Sequence, residues 1–154
     1  KVIKLSPLIS LDLCIIKNRK ILLGKRNNSP AKDYFFVPGG RIFKSELKVN
    51  ALKRILKDEL GFEIKIDNYN FIKPLGDYEH FYSDNFLNNN SFSTHYVVLA
   101  YLIPYEYLTH IKKEVDKEQH SEYIWFDIDL KDSNSYKVHQ YTLDYLENPM
   151  IKFS

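Results

Sequence analysis

Gly39-Gly40-Arg41-Ile42-Phe43-Lys44-Ser45-Glu46, followed by Leu47 to Gly61, is the stretch on which the fold turns. Two adjacent glycines lead into a loop, and the loop leads into a helix. Leu52, Ile55, Leu56 and Leu60 recur at the spacing of one helix face. The pattern predicts Ser45 as the N-cap and Glu46 in the first turn, against the positive end of the helix dipole. Lys57 falls in the last turn, and Gly61 is placed to close the helix in the left-handed conformation. Carboxylates therefore stand at both ends of the unit, Glu46 at one and Asp58 and Glu59 at the other.

The rest of the chain must supply a core for this unit. Its 154 residues, 44% hydrophobic and 15% aromatic, suit one packed domain spanning 1–154 rather than a disordered chain. A net charge of +2, from 22 basic and 20 acidic residues, lacks the basic excess of a general nucleic-acid binder. Cys14 is the single cysteine and lies in an apolar run, so it reads as a buried thiol in a reducing compartment. No apolar run approaches the roughly 18 residues of a membrane span, and no secretory leader is visible. A cytoplasmic protein without nucleic-acid or membrane partners is the expectation.

Leu8 to Ile16 and Ile21 to Gly24, joined by Lys17-Asn18-Arg19-Lys20, read as a β-hairpin. Asp12 is set inside the first strand, where a carboxylate needs a reason. It either faces water at an edge or serves the site. Arg26 opens a loop. A guanidinium there is a solvated surface group or a grip on phosphate oxygens through two parallel bonds. Phe35-Phe36-Val37 reads as a short buried strand delivering the chain to Pro38-Gly39-Gly40. Glu46 and Arg54 suit an ion pair that fixes the loop on the helix. Asp58 lies about 100° around the helix from Glu59 and reads as a solvated charge.

Glu63 to Lys73 reads as strand with a turn at Asp67-Asn68, and Gly76 to Ser93 as a mobile hairpin or lid. His80 and Tyr82 on that lid either close over a ligand or simply pack. Thr94 to Ile103 is the strongest strand pattern. Tyr96 near its start is a cross-strand packing residue or a hydroxyl aimed at a ligand. Tyr105 to Lys117 reads as a charged connector with a helical turn. Gln119-His120 sits in a loop before a strand over Glu122 to Phe126, and Val138 to Leu146 reads as an amphipathic helix ended by Asn148-Pro149.

The opening unit resembles the Nudix box, G-x5-E-x7-R-E-U-x-E-E-x-G-U with U a bulky apolar residue. Gly40, Glu46, Arg54, Leu56, Glu59, Gly61 and Phe62 stand where the pattern asks for them. Ile55 replaces its first helical glutamate and Asp58 its second. This degenerate box is similar to that of the GDP-mannose mannosyl hydrolase branch. Pro7 to Asp12, Leu22 to Arg26, His95 to Leu99 and Glu118 to Tyr123 with Trp125 carry the likeness over about Pro7 to Pro149.

The resemblance implies an α/β Nudix fold, an α/β/α sandwich with a mixed β-sheet, and a homodimer. It implies hydrolysis of GDP-mannose, or GDP-glucose, to GDP and free sugar. Mg²⁺, with Mn²⁺ as a substitute, would be held by the Gly39 carbonyl, Glu59 and Gln119. Arg26, Arg41 and Tyr96 would stabilise the departing GDP, and Asp12, Arg54, His80 and Tyr82 would add substrate contacts. His120 would be the general base, since a neutral imidazole suits proton removal from water near pH 7. A conventional Nudix pyrophosphatase attacking phosphorus is one alternative, and an inert Nudix-fold protein that binds a nucleotide sugar is another.

Overall fold

Strand β1 (Leu8–Lys17) is the axis of the molecule. Its alternation sends Leu11, Leu13 and Ile15 to one side of the sheet and Cys14 and Ile16 to the other. The computed structural model describes residues 5–28, 31–83, 93–111, 120–131 and 133–154. Asn18 and Arg19, at φ 50° and 57°, turn the chain from β1 into β2 (Lys20–Arg26), which pairs with it antiparallel. β2 in turn pairs with β3 (Phe35–Phe36) and with β9 (His120–Asp127), both antiparallel. On its other side β1 pairs parallel with β7 (Thr94–Pro104), and β7 pairs antiparallel with β6 (Lys73–Tyr82). The sheet is therefore mixed, as expected.

Helix α1 (Lys48–Leu60) lies on one face. Ala51, Leu52, Ile55, Leu56 and Leu60 are buried against Leu11, Leu13, Ile15, Leu22 and Ile103. The opposite face is covered by α2 (Gln140–Leu146) and α3 (Pro149–Lys152). There Tyr145, Leu146 and Ile151 pack on Cys14, Ile21, Leu23, Ala100 and Phe126. Each face loses on the order of ten apolar side chains from water, at roughly 1.5–3 kcal/mol apiece before chain entropy is charged. The α/β/α sandwich is the result, and no helix among the described residues is long and apolar enough to cross a membrane.

Several boundaries differ from the sequence expectation. Helix α1 starts at Lys48 behind an extended Leu47, with no side-chain cap, and Ser45 sits in a turn at φ 68°. Glu46 explains the shift. Its carboxylate accepts from the Phe43 N–H and its own N–H donates to the Phe43 carbonyl, which closes a separate turn before the helix. Gly61 ends α1 in the left-handed conformation at φ 66°, as its position required.

Only Phe62–Ile64 of the 63–73 segment is strand, β5, and it pairs with β8 (Leu108–His110). The expected connector 105–117 thus hides a strand, preceded by a 3-10 turn at Tyr105–Tyr107. The described part of the expected lid is largely regular strand. Residues up to Tyr82 belong to β6, and 84–92 lie outside the described residues. The C-terminal helix begins at Gln140 rather than Val138, because the His139 side chain caps it. Asn148 caps α3, with Pro149 in its first turn.

Candidate active site on two faces of one sheet

Gly39–Arg41 forms β4, antiparallel to β1 with Asp12 opposite Gly39 and Leu11 opposite Gly40. Ladder bonds run from Leu13 N–H to the Pro38 carbonyl and from Ile42 N–H to the Ile9 carbonyl. The Asp12–Gly39 pair falls between these hydrogen-bonded positions, so the Gly39 carbonyl points away from β1. Both glycines are held by lack of space. A Cβ on Gly40 would stand 3.0 Å from Ile55 Cγ1, and one on Gly39 would collide with Asp12 Oδ1 and the Leu11 carbonyl.

Beyond Gly40 opens a cleft of about 220 Å³ on the α1 face, lined by Gly40, Arg41, Phe43, Arg54, Asp58 and Glu59. Its remaining wall is Ile55, only 1% exposed, which belongs to the core as much as to the cleft. Glu46 and Arg54 make the expected ion pair at 2.8 and 3.0 Å, and Arg54 also donates to the Arg41 carbonyl at 2.7 Å. The hydrogen bond from Arg54, with that from Phe43 N–H, holds the Glu46 carboxyl down at about 2. The Arg54 guanidinium lies over the Phe43 ring at 4.1 Å. Arg54 is therefore spent on shaping the loop. Its expected substrate contact would have to share those bonds.

Asp12 points to the opposite face. It lies in a strand with neighbours on both sides, not at an edge facing water. Tyr145 of α2 donates its hydroxyl to Asp12 Oδ2 at 2.5 Å. Burial pushes the Asp12 carboxyl up to about 6, against the opposing effects of the Tyr145 bond and the Arg26 charge. Tyr82 and Tyr96 approach edge to face with ring centroids 6.1 Å apart, and burial raises both hydroxyls. The charges of Asp12 and Arg26 act on both, and that of Arg41 acts on Tyr96. Arg41 thus adjoins the α1-face cleft and the α2-face tyrosines alike.

The structure brings Asp12, Arg26, Arg41, Tyr82 and Tyr96 into one neighbourhood. The His120 backbone opens β9 directly opposite Arg26, in a strand rather than in the loop expected. Gln119 lies outside the described residues. His80 is corrected: it is 5% exposed on β6 and stacks on Tyr141 with centroids 4.0 Å apart. Burial, with His139 nearby, lowers its pKa to about 4, so it is a neutral packing group rather than part of a lid. Asp58 is corrected as well. It is exposed, as expected of a solvated charge, but it lines the same cleft as Glu59 because positions 55, 58 and 59 share one helix face. The residues that sequence reading missed are Tyr145, His139 and Tyr141. Their signal was two tyrosines at i, i+4 behind a histidine.

Gly39, Asp58 and Glu59 supply hard oxygen donors, and a Cβ on Gly40 would sit 4.0 Å from Glu59 Oε1. Among the described residues no three His, Cys, Asp or Glu side chains gather as a metal cluster. Mg²⁺ keeps several waters and takes one or two carboxylates, so the donors present fit a single ion of that kind.

A cleft built from a Gly-Gly loop, an Arg-anchored turn and a helical carboxylate, mounted on a mixed sheet between helices, defines the Nudix class of hydrolase. The NUDIX domain model matches residues 10–144, and the chain belongs to the Nudix family. It is 40% identical over 95 residues to the low-salt glycan biosynthesis protein Agl8 of Haloferax volcanii, covering 62% of this chain and 57% of that protein. It is 40% identical over 62 residues to an ADP-ribose pyrophosphatase of Methanocaldococcus jannaschii, covering 40% of this chain and 37% of that one. The matched stretch thus spans less than two thirds of either relative. Among solved structures, the MutT Nudix hydrolase of Burkholderia pseudomallei superposes with a TM-score of 0.71 at 23% identity, over 93% of this chain and 98% of that one. The Nudix domain of Shewanella oneidensis NrtR, complexed with ADP-ribose, gives 0.57 at 18% identity, over 97% and 90%. At these identities the structural likeness bears on the fold.

Proposed function

We propose that this Nudix hydrolase cleaves a nucleotide sugar, GDP-mannose or the related GDP-glucose, to GDP and the free sugar by attack of water at the anomeric carbon. The observation that carries the reading is Ile55. It takes a corner of the helical carboxylate set, is buried, and packs against Gly40. Attack at phosphorus places the nucleophile beside a metal gathered by several helical carboxylates, and an apolar core residue cannot serve there. Asp58 and Glu59 remain, a set for one ion.

Nudix hydrolases generally use a divalent ion such as Mg²⁺, and when bound it supplies Lewis-acid neutralisation of diphosphate charge. Glu59, the Gly39 carbonyl and Gln119 would hold it. Arg26 and Arg41 orient the diphosphate and stabilise the charge that grows on the leaving oxygen, with the Tyr96 hydroxyl beside them. His120 takes a proton from the water on the far face of the sugar carbon, and the anomeric configuration inverts. A cytoplasmic homodimer completes the proposal.

The second reading is a Nudix pyrophosphatase, and Asp58 favours it, since it lines the cleft beside Glu59. The match to an ADP-ribose pyrophosphatase points the same way. Hydrolysis of GDP-mannose in ¹⁸O-water separates the two. The expected result is label in mannose and none in GDP. GMP with mannose 1-phosphate, or label on a phosphate, establishes attack at phosphorus instead. No turnover with or without Mg²⁺ leaves an inert nucleotide-sugar binder.

A further inference from the structure

Glu59, the helical carboxylate assigned to the ion, stands in the last turn of α1, next to its end at Leu60. That is an insecure place for a ligand. The last carbonyls of a helix have no partner within it, and helix ends fray. At this end the Gly61 N–H takes up the carbonyls of Leu56 and Lys57, and the Ile111 N–H takes the Gly61 carbonyl at 2.8 Å. The Glu59 carbonyl lies between these anchors. The Tyr123 hydroxyl donates to it at 3.2 Å, from 64 residues away in the chain.

Tyr123 acts as a rigid arm. The alternation of β9 places Tyr123 and Trp125 on the α1 face of the sheet, and Ile124 and Phe126 on the α2 face. The Tyr123 backbone pairs opposite Gly24 of β2, and its ring is half-buried against the α1 core. A tyrosine has only two side-chain torsions, so strand pairing and core packing together fix where the hydroxyl stands. The same strand opens at His120, whose backbone pairs with Arg26. One hydrogen bond thus ties the main chain of the candidate metal carboxylate to the strand that carries the candidate base.

We propose that Tyr123 is a positioning residue for the cation: its bond to the Glu59 carbonyl holds the last turn of α1, so that the Glu59 carboxylate is set in the cleft before an ion arrives. The inference rests on the one-ion reading of Glu59 above and deepens it. An ion binds one arrangement of its donors, and the apparent affinity falls with the fraction of molecules that hold that arrangement. Without the hydroxyl the turn is free to fray, and its ordering then opposes binding.

Binding of Mn²⁺ alone to the nucleotide-free protein, followed by the paramagnetic resonance of the free ion, tests this without turnover. Tyr123→Phe keeps the ring and removes the donor. It is expected to weaken Mn²⁺ binding about three- to tenfold, the scale of one hydrogen bond. A hydroxyl on a helix-end carbonyl also stabilises the fold, so a control of similar stability loss is needed. Ile103→Val, buried on β7 and apart from the cleft lining, supplies it. That variant is expected to leave Mn²⁺ binding within about twofold. In a Glu59→Gln background, Tyr123→Phe is expected to weaken Mn²⁺ binding no further, because it acts through that carboxylate. Binding unchanged in Tyr123→Phe, reduced equally by Ile103→Val, or reduced as much in the Glu59→Gln background as in the native one, overturns the proposal. If the native protein takes up no Mn²⁺, or if Glu59→Gln leaves the uptake unchanged, the ion is not at Glu59, and the one-ion reading falls together with the inference.

Discussion

The α1 face and the α2 face of the sheet are built by different means. On the α1 face the parts are neighbours in sequence. Glu46 reaches Arg54 eight residues on, and Arg54 reaches back thirteen to the Arg41 carbonyl. On the α2 face the parts come from opposite ends of the chain. Tyr145 reaches Asp12 across 133 residues, and Tyr141 reaches Phe81 across 60. A loop–helix unit can preserve the first face as a local motif. The second exists only once β1, β6 and α2 have docked, so its polar groups depend on the packing of the whole core.

The largest effects should fall on the α1 face and its approach from β9. Replacing His120 with Gln is expected to lower kcat by on the order of 10²–10⁴, with a smaller change in KM. Glu59→Gln should match that loss, while Asp58→Asn should cost less than about tenfold if only one carboxylate holds the ion. Equal losses at 58 and 59, measured by steady-state turnover over a Mg²⁺ series, would put both on the metal and favour the pyrophosphatase.

Ile55→Glu completes the box on paper. Because Ile55 is 1% exposed between α1 and β1, the variant should lose on the order of 3–5 kcal/mol in urea unfolding. A variant as stable as the native protein would show that the cleft solvates position 55, and the local description of this face would have to be redrawn.

Tyr145→Phe probes the long-range face. It removes the hydroxyl that donates to Asp12 Oδ2 while keeping the ring, and should cost roughly 2 kcal/mol, in the range for a hydrogen bond to a charged group. An unchanged urea midpoint above pH 7 would mean that Asp12 is satisfied elsewhere.

The smallest effect is a cancellation with pH. Asp12 has its folded pKa raised from 3.8 to about 6, so its ionisation erodes stability as pH rises through that window. His80 has its folded pKa lowered from 6.5 to about 4, so its contribution is complete above 6.5 and is lost as pH falls toward 4. Each is worth on the order of 3 kcal/mol, with opposite sign, and the native protein should change little from these two groups between pH 4 and 6.5. His80→Asn should uncover the fall with rising pH, and Asp12→Asn the rise. Parallel pH curves for the two variants would contradict the burial of one of them.

Much of the α1 face was legible because helix periodicity and glycine placement are local. The spacing of Leu52, Ile55, Leu56 and Leu60 marked the buried stripe, Gly61 marked the stop, and Glu46 and Arg54 marked the ion pair. The helix start was misread because Glu46 can serve either a dipole or a loop N–H, and only the fold supplies Phe43 as its partner. Asp58 was misplaced because its angle was measured against Glu59 alone, whereas the cleft is wide enough to include both.

What the amino-acid order determined by itself is the set of elements that bury one stripe or one face, together with the Gly-Gly loop and carboxylate unit, since these follow from chain stereochemistry and 2- or 3.6-residue repeats. Only the tertiary structure decided that Asp12 is central rather than at an edge, that His80 is buried and neutral, and that 108–110 pairs with 62–64. Each of these depends on which distant segment removes water from a group, and burial of that kind leaves no periodic trace in the strand or helix that bears it.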